Sequence, residues 1–259
     1  TLIYMKSTYD HLPAFVLRTG GKERIIRTRD ASLDNYFAYH NGKIVYAAYR
    51  SDLRWTYRDY SELQLLDVAT GKEKRLTKSS KYFAPDFSPD GKTIVAVQVG
   101  PSGKSGLHLL NAADGKLLQV VPNPDNLFFT YPKFYGEEKL ISAVRNRDGE
   151  MSLAEIGIKT GKVKYLTRFS YEPLGFLFVR GDTVYYTRSG STDNLFACDL
   201  ADGKQYWLPN PDNHGAIGYY QPAITGKKLA WVGFTAAGYR INEVNNKSAE
   251  WLEKIGRAH

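Results

Sequence analysis

Cysteine and long apolar runs are nearly absent from this chain of 259 residues. Cys198 is the single cysteine, so an internal disulfide is impossible, and its apolar neighbours in sequence predict a small buried hydrophobe rather than a reactive thiol. No apolar run approaches the roughly 18 residues needed to span a bilayer, and residues 1–7 lack the pattern of a signal peptide. Hydrophobic residues still make up 42% of the chain, which is ample for a folded core.

Motifs of several enzyme classes are also missing. The sequence has no Gly-x-Ser-x-Gly elbow of a serine hydrolase and no glycine loop that would cradle a phosphate. Its five histidines are scattered: His11, His40, His108, His214 and His259. The sequence therefore predicts no catalytic residues, no metal and no cofactor.

Positive charge is in excess, with a net charge of +8. The lysines concentrate in repeated turns rather than in one stripe, which is typical of a solubility feature and argues against a nucleic-acid partner. These turn lysines are Lys72, Lys74, Lys92, Lys116, Lys162, Lys164, Lys204, Lys227 and Lys228. An anionic ligand is still compatible with this charge.

A turn of the type Thr-Gly-Lys or Asp-Gly-Lys recurs at nearly fixed spacing. Its glycines lie 44, 46 and 42 residues apart, at Gly71, Gly115, Gly161 and Gly203. A second set of turns lies half a repeat away, as in Asn41-Gly42-Lys43 and Asp90-Gly91-Lys92, each followed by an alternating apolar run. A period of about 40 to 50 residues built from strands and tight turns is typical of a β-propeller.

The two sets of turns predict an all-β fold, a six-bladed β-propeller of four-stranded antiparallel blades that forms a single domain over residues 1–259. The first blade has only three strand-like segments, so we expect its innermost strand to be missing from this chain. Either that strand lies upstream in a longer protein, or the ring keeps a three-stranded blade. The expected blades cover approximately residues 1–29, 33–78, 82–121, 128–167, 172–208 and 217–252.

The segment Phe87-Ser88-Pro89-Asp90-Gly91-Lys92 resembles the repeat of TolB-like propellers, a WD-like propeller family. Leu107-His108-Leu109-Leu110-Asn111 with Asp114-Gly115-Lys116 resembles the second half of the same repeat. Leu65-Leu66-Asp67 with Thr70-Gly71-Lys72 is another close match. The resemblance implies a periplasmic or otherwise extracytoplasmic protein-binding module of a bacterial envelope protein, often joined to other domains. Some relatives of that fold are hydrolases or lyases, so the fold alone leaves the activity open.

Basic residues mark the loops between the second and third strands of the blades, and Trp55 and Tyr57 interleave with those of the second blade. Arginine beside aromatic rings suits planar anionic groups, although such arginines also pair with nearby carboxylates such as Asp52, Asp59 and Asp148. The candidate binding residues of these loops are Arg50, Arg54, Trp55, Arg58, Arg145 and Arg188.

Most of the predicted innermost strands begin with a tyrosine, which usually stands shortly before a proline. Repeated at one place in each blade, they would form a ring around the mouth of the central channel; the alternative is that they pack between adjacent blades. These candidates are Tyr36, Tyr82, Tyr131, Tyr171 and Tyr220, with Glu172 and Gln221 at comparable positions before prolines.

The leading hypothesis is a non-enzymatic module that binds a protein or peptide with its loop-rich face and the mouth of the channel. The alternative is a carbohydrate-active or metal-dependent lyase or hydrolase, or an acidic glycan binder, with its site in the central channel near His40, His214 or Glu172. A repeated Pro-Asn-Pro-Asp-Asn segment, starting at Pro122 and Pro209, suits either a turn or a hard cation.

Overall fold

The computed structural model describes residues 1–55, 57–190, 192–209, 217–226, 228–245 and 251–253. All regular elements of these residues are β-strands, as the sequence predicts. They form two compact units, one made of Thr1–Gly103 and His108–Val120 and the other of Lys104–Leu107 and Val121–His259.

The first unit begins with a three-stranded sheet, in agreement with the expectation that the first blade lacks one strand. Its strands are β1 (Leu2–Lys6), β2 (Ala14–Thr19) and β3 (Lys22–Thr28). A four-stranded antiparallel sheet follows, made of β4 (Phe37–His40), β5 (Lys43–Ser51), β6 (Asp59–Asp67) and β7 (Glu73–Arg75). The next four-stranded sheet contains β8 (Tyr82–Phe87), β9 (Thr93–Val99), β10 (Ser105–Asn111) and β11 (Leu117–Val120).

The second unit repeats this architecture. One four-stranded sheet contains β12 (Phe128–Tyr135), β13 (Lys139–Arg145), β14 (Met151–Gly157) and β15 (Val163–Tyr165). The next strands are β16 (Leu174–Arg180), β17 (Thr183–Ser189), β18 (Asp193–Asp199) and β19 (Gln205–Leu208). The last are β20 (Gly218–Thr225), β21 (Lys228–Thr235), β22 (Gly238–Asn245) and β23 (Leu252–Glu253).

The final strand has an unexpected partner. β23 pairs antiparallel with β19, with Leu252 opposite Trp207 and Glu253 opposite Tyr206. Within the described residues, the sheet of β20, β21 and β22 therefore ends at β22, and β19 gains a strand on its outer side. The division of the chain into six blades stays a prediction.

The repeated Gly-Lys turn has a second function besides reversing the chain. Gly115 and Gly161 have φ values of 72° and 66°, which glycine adopts without strain. A Cβ at Gly115 would also lie 2.2 Å from the Leu76 carbonyl oxygen, and one at Gly161 would lie 2.2 Å from that of Pro122. Gly115 and Gly161 therefore let their turns approach the chain that leaves the preceding sheet, whereas a Cβ at Gly203 would meet nothing within 4 Å.

Adjacent sheets pack face to face through apolar side chains. In the first unit, Phe15 of β2 packs at ring-centroid distances of 5.3 Å from Phe37 and 5.1 Å from Tyr46. In the second unit, Leu153, Val184 and Tyr186 lie in one fully buried cluster. Where a sheet is covered by a neighbour within its unit, its strands carry apolar runs rather than a strict alternation, as at residues 44–48 of β5.

Candidate functional site

The hairpin loop between β5 and β6 is organised around one carboxylate. Asp52 Oδ1 accepts the backbone N–H groups of Arg54 at 2.8 Å and Trp55 at 3.1 Å, and Asp52 Oδ2 accepts the hydroxyl of Tyr60 at 2.8 Å. The backbone N–H of Asp52 donates to the Arg58 carbonyl at 2.9 Å. We call residues 52–58, of which Thr56 lies outside the described residues, the Asp52 loop. Its polar hub fixes the backbone without burying apolar side chains.

Large apolar side chains of the Asp52 loop point into solvent. Leu53 and Tyr57 are fully exposed and Trp55 is 57% exposed. The guanidinium carbon of Arg54 lies 5.3 Å from the centroid of the Trp55 ring, and that of Arg58 lies 5.4 Å from the Tyr60 ring. Such arginine–aromatic pairs gain stability from the cation–π interaction. The described residues of the loop therefore present aromatic, aliphatic and cationic groups together.

The charges of this loop are partly neutralised. Hydrogen bonds from the Arg54 backbone and the Tyr60 hydroxyl lower the pKa of Asp52 below its ordinary value. Arg58 Nε lies 3.9 Å from Asp52 Oδ2, as the carboxylate-pairing alternative predicts. Arg50 pairs instead with Asp30, a partner that the sequence did not indicate, and the hydrogen bond to Asp30 raises the pKa of Arg50. Arg54 is thus the arginine best placed to meet an external anion.

A second feature recurs on the first strand of four sheets. One residue in each of β8, β12, β16 and β20 has a left-handed backbone, and the register of each strand shifts there. These residues are Ala84, Tyr131, Phe176 and Gln221, with φ values of 45°, 55°, 55° and 53°. A left-handed non-glycine residue costs about 1 to 2 kcal/mol, so the bulge is held in place by its surroundings. Prolines follow three of the four residues.

In the second unit these bulges bring aromatic rings together, and we call Tyr131, Phe176, Tyr220 and Tyr239 the aromatic row. Tyr131 and Phe176 stack with centroids 6.0 Å apart and an interplanar angle of 15°. Phe176 meets Tyr220 edge to face at 5.9 Å, and Tyr220 meets Tyr239 at 6.4 Å. The rings of Tyr131, Phe176 and Tyr220 are half-buried, whereas Tyr239 is exposed. Two of the five tyrosines predicted from the sequence therefore share one cluster.

Glycines under the aromatic row leave room for its rings. A Cβ at Gly175 would lie 3.1 Å from Tyr131 Cε2, and a Cβ at Gly218 would lie 2.4 Å from the Tyr220 hydroxyl. That hydroxyl donates to Asp193 Oδ2 at 2.5 Å. Burial and the hydrogen bond to Asp193 raise the pKa of Tyr220 to about 12. The tyrosine therefore stays protonated, and its donor is directed at a carboxylate of its own chain.

Two further candidates of the second unit pair with each other. Arg188 Nε donates to a carboxylate oxygen of Glu172, and the guanidinium carbon of Arg188 lies 5.9 Å from the Phe196 ring. Arg145, at the end of β13, directs Nη2 toward Met151 Sδ at 3.8 Å. Arg188 and Glu172 thus form an ion pair in which the arginine is mostly covered and the glutamate is half exposed.

The five tyrosines differ in their surroundings, and their arrangement in a ring stays a prediction. Tyr82 is buried and bonds to His108 Nδ1 at 3.1 Å, so it fits the packing alternative. Tyr171 lies before β16 and is 73% exposed, while Tyr36 lies just before β4 and its carbonyl accepts a hydrogen bond from Arg29. Gln221 holds a left-handed bulge position with its side chain exposed. The position of each aromatic side chain depends on the strand bulges. A pattern of tyrosines in the sequence does not reveal these bulges.

Phe176 is the member of the aromatic row that the sequence did not indicate. It is followed by Leu177 rather than by proline, so the proline rule that marks Tyr131 and Gln221 does not apply to it. Leu53 and Tyr57 flank Trp55 in the same loop and are not among the predicted binding residues, although Tyr57 interleaves with the arginines in sequence. The departure of this loop from the repeat is the signal that marks them.

His40 and His108 are engaged in packing, whereas His11 is exposed. His40 packs against Phe87 with ring centroids 5.8 Å apart, and burial lowers the pKa of His108. His214 and His259 lie outside the described residues. In the described part of the chain, no three His, Cys, Asp or Glu side chains are grouped to hold a metal ion.

The Pro-Asn-Pro-Asp-Asn segment at Pro122 adopts a turn. The Asn123 side chain accepts the Leu127 N–H at 3.0 Å and donates to the carbonyls of Leu127 at 2.9 Å and Ser105 at 3.2 Å. These bonds use the amide oxygen that a cation would need. In the copy that starts at Pro209, residues 210–213 lie outside the described residues.

Across the described ranges, no helix is long and apolar enough to cross a membrane. No protein-family model matches the chain, and no curated protein matches it. Several solved structures, in contrast, are similar to this chain. TolB from Acinetobacter baumannii is 19% identical, with a TM-score of 0.64, over 96% of this chain and 64% of that chain. A puromycin-hydrolyzing peptidase from Mycobacterium tuberculosis is 11% identical, with a TM-score of 0.63, over 97% of this chain and 44% of that chain.

An oligogalacturonate lyase in complex with manganese is 14% identical, with a TM-score of 0.55, over 82% of this chain and 61% of that chain. The chain thus spans less than two thirds of the length of each of these proteins. Their activities differ, so the likeness establishes architecture and not chemistry. Together with the repeated four-stranded antiparallel sheets, it shows that this chain has a β-propeller fold of the kind found in TolB proteins and propeller-containing peptidases.

Proposed function

We propose that this chain is a non-enzymatic module that binds a protein or peptide, and that the Asp52 loop is its principal contact surface. One observation carries the proposal: Leu53, Trp55 and Tyr57 are exposed together on a loop whose backbone is already fixed by the Asp52 carboxylate. Exposed aromatic side chains on a rigid scaffold are typical of interaction sites.

Pre-ordering of the loop favours tight binding. Ordering of side chains and loops at an interface opposes association, and a loop that is held before binding avoids most of that loss. Tryptophan, tyrosine and arginine are the residues that most often dominate binding energy, and the loop offers all three in Trp55, Tyr57 and Arg54. The surface therefore combines the residue types of a hot spot with a fixed backbone.

Charge indicates the chemistry of the partner. The chain carries a net charge of +8, and Arg54 lies over Trp55 with its guanidinium on the exposed loop. A partner that presents carboxylates next to apolar side chains would meet both the ring and the cation. We therefore infer an acidic, apolar peptide segment or protein surface, and an affinity that weakens as salt is added.

The test uses peptides selected by phage display against the purified chain. Their affinities are measured for the wild-type chain, for Trp55→Ala and Tyr57→Ala, and for Tyr171→Ala as a control at an exposed tyrosine outside the loop. Loss of binding with both loop variants and retention with the control would support the proposal. Equal affinity for all four proteins would reject the Asp52 loop as the contact surface.

A second candidate function, acidic glycan binding or lyase chemistry, would use the aromatic row. The observation in its favour is the strained backbone at Tyr131 and Phe176, because such strain often occurs where a ligand is held. Oligogalacturonides with and without Mn²⁺ test it by thermal shift and by release of unsaturated product. A shift that Phe176→Ala abolishes would support this candidate, and no shift at millimolar ligand would reject it.

The proposal extends to the cellular setting. A TolB-like module of this kind would operate in the periplasm or another extracytoplasmic compartment, with further domains in the parent protein. Fractionation of cells that express the parent protein tests this, with the periplasmic fraction as the expected location and the cytosol as the contradicting one.

A further inference from the structure

A small cavity lies in the first unit, beside the repeated turn that joins β6 to β7. Its volume is about 210 Å³. A buried water needs about 10 to 15 Å³ of such space, so the cavity has room for a small organic ion. We call it the Leu65 cavity. Its walls are formed by Lys43 of β5, Leu65 and Asp67 of β6, Lys72 of the turn, and Glu73 and Lys74 of β7.

The two carboxylates of the Leu65 cavity are bound by other groups of the chain. Asp67 Oδ1 accepts the backbone N–H of Thr70 at 2.8 Å and the Thr70 hydroxyl at 2.7 Å. Glu73 Oε2 accepts the Tyr46 hydroxyl at 2.5 Å and lies 3.5 Å from Arg27 Nε. Both acids therefore direct their oxygens at partners other than the lysines of the cavity.

The lysines of the cavity are less engaged. Lys74 Nζ donates to the Ala113 carbonyl at 2.8 Å, which fixes the course of this side chain. Hydrogen bonds within the turn and, to a smaller extent, the charge of Lys43 lower the pKa of Asp67. In the described part of the chain, neither Lys43 nor Lys72 forms a direct ion pair with a carboxylate. The cavity thus has ammonium groups that can still bind an acid.

The second unit contains the same arrangement with an acid in place. Lys43 is the first residue of β5, and Leu65 lies two residues before its partner on β6. Lys139 is the first residue of β13, and Glu155 stands in the same relation to it on β14. There, Lys139 Nζ lies 2.9 Å from Glu155 Oε1, and the Glu155 side chain is only 13% exposed. The lysine at this position therefore binds a carboxylate that the chain itself supplies.

Leu65 removes that internal carboxylate from the first unit. Its side chain packs against the buried cluster of this unit and presents an apolar wall to the cavity. Lysine stems are also apolar, whereas their ammonium groups form strong, charge-assisted hydrogen bonds with carboxylates. The Leu65 cavity therefore suits a ligand with an apolar part next to an acid.

We propose that the Leu65 cavity binds an external carboxylate that is carried on a short aliphatic chain. The carboxylate takes the place that the Glu155 carboxylate holds in the second unit, next to Lys43 and Lys72, and the aliphatic chain lies on Leu65. Because the ammonium groups are close to solvent, added salt weakens the binding. The site is separate from the Asp52 loop and does not depend on the function proposed for that loop.

The probe is butyrate, titrated into the wild-type chain while NMR records the side-chain signals of leucine and lysine. The signals of Leu65, Lys43 and Lys72 are expected to shift in a saturable way, while those of Lys139 stay unchanged. n-Butanol carries only the apolar part and inorganic phosphate only the charge, so each should bind at least about fivefold more weakly. A capped glutamate residue distinguishes the sources: tighter binding than butyrate indicates an acidic side chain of a protein, and weaker binding indicates a free acid.

Substitutions in the two units provide matched variants. Leu65→Glu supplies the missing internal carboxylate and is expected to abolish the shift of Lys43. Glu155→Leu removes the internal carboxylate of the second unit and is expected to produce a shift of Lys139 that the wild type lacks. Lys72→Gln should weaken butyrate binding about fivefold. Lys162→Gln, which removes the same charge from the equivalent turn, should leave it unchanged.

Three results would overturn the proposal. Equal affinity for butyrate and n-butanol would show an apolar cavity without a role for the lysines. Equal affinity for butyrate and phosphate would show attraction of any anion, without a role for Leu65. Unshifted Leu65 and Lys43 signals at saturating butyrate would place the ligand elsewhere or exclude it. The wild-type titrations alone decide all three, whether or not the variants fold.

Discussion

The Asp52 loop and the aromatic row both combine aromatic rings with a carboxylate, but they use them in opposite ways. In the loop, Asp52 binds the backbone and the rings of Trp55 and Tyr57 stay in solvent. In the row, Asp193 binds the side chain of Tyr220, and the rings contact one another over a strained backbone. We therefore expect aromatic rings to be available to a partner where polar groups, and not the rings themselves, hold the local structure.

The largest expected effects distinguish the two regions directly. Trp55→Ala should weaken the binding of loop-selected peptides by about 30- to 100-fold, or about 2 to 3 kcal/mol, and leave thermal unfolding unchanged. Tyr220→Ala should instead lower the thermal stability and leave peptide binding unchanged. It removes ring contacts and leaves Asp193 without the donor that Tyr220 supplies. Calorimetric titration and thermal unfolding of both variants check this. A stability loss with Trp55→Ala would break the comparison.

Phe176 tests the strain in the aromatic row. Phe176→Ala should lower the free energy of unfolding by about 2 kcal/mol, since a half-buried ring with two aromatic neighbours is lost. Phe176→Gly should be the milder change by about 1 kcal/mol, because glycine adopts the left-handed backbone without cost. Denaturant unfolding of both variants measures the order. If alanine is the more stable residue at this position, the bulge is not strained.

Asp52 tests the polar hub of the loop. Its pKa is lowered, so loop order should be complete above the ordinary aspartate pKa of about 3.9 and be lost as pH falls through the lowered pKa. Peptide affinity of the wild type should therefore fall only in acid, and Asp52→Ala should bind about tenfold more weakly at neutral pH. Asp59→Ala is the control, because Asp59 pairs with Lys81 and holds no loop amide. Equal affinities of the two variants would contradict the role of Asp52.

The smallest expected effect concerns Ala84, the bulge residue with a small aliphatic side chain. Ala84→Gly should raise the free energy of unfolding by about 0.5 kcal/mol, since relief of the left-handed backbone exceeds the loss of one methyl group. Ala96→Gly, in the regular buried strand β9, should lower it by about 1 kcal/mol. Denaturant melts of both variants give the sign, and a loss of stability at position 84 would argue against strain there.

The fold was largely predictable because its determinants are local. The turn at Asp67 closes with the Thr70 N–H donating to Asp67 Oδ1 at 2.8 Å and with Gly71 at a φ of 68°, chemistry that a six-residue sequence already contains. The pairing of β23 with β19 was not predictable, since it depends on an encounter between residues far apart in the chain.

The candidate site was predictable only in part. Trp55 and the arginines stand out in sequence, but the pairing of Arg50 with Asp30 and of Arg188 with Glu172 depends on how strands and loops meet in three dimensions. The placement of Tyr131 and Phe176 depends on strand bulges, which are set by neighbouring strands rather than by the residues themselves. Side-chain environment was therefore the part that sequence patterns left open.

The most direct test of the central claim is amide hydrogen exchange of the wild-type chain with and without a saturating phage-selected peptide. The account predicts that added protection appears in the Asp52 loop, at the amides of residues 52–58, while the amides of Tyr131, Phe176 and Tyr220 keep their rates. Protection at the aromatic row with an unchanged Asp52 loop would contradict it and would place the binding surface on the strained strands instead.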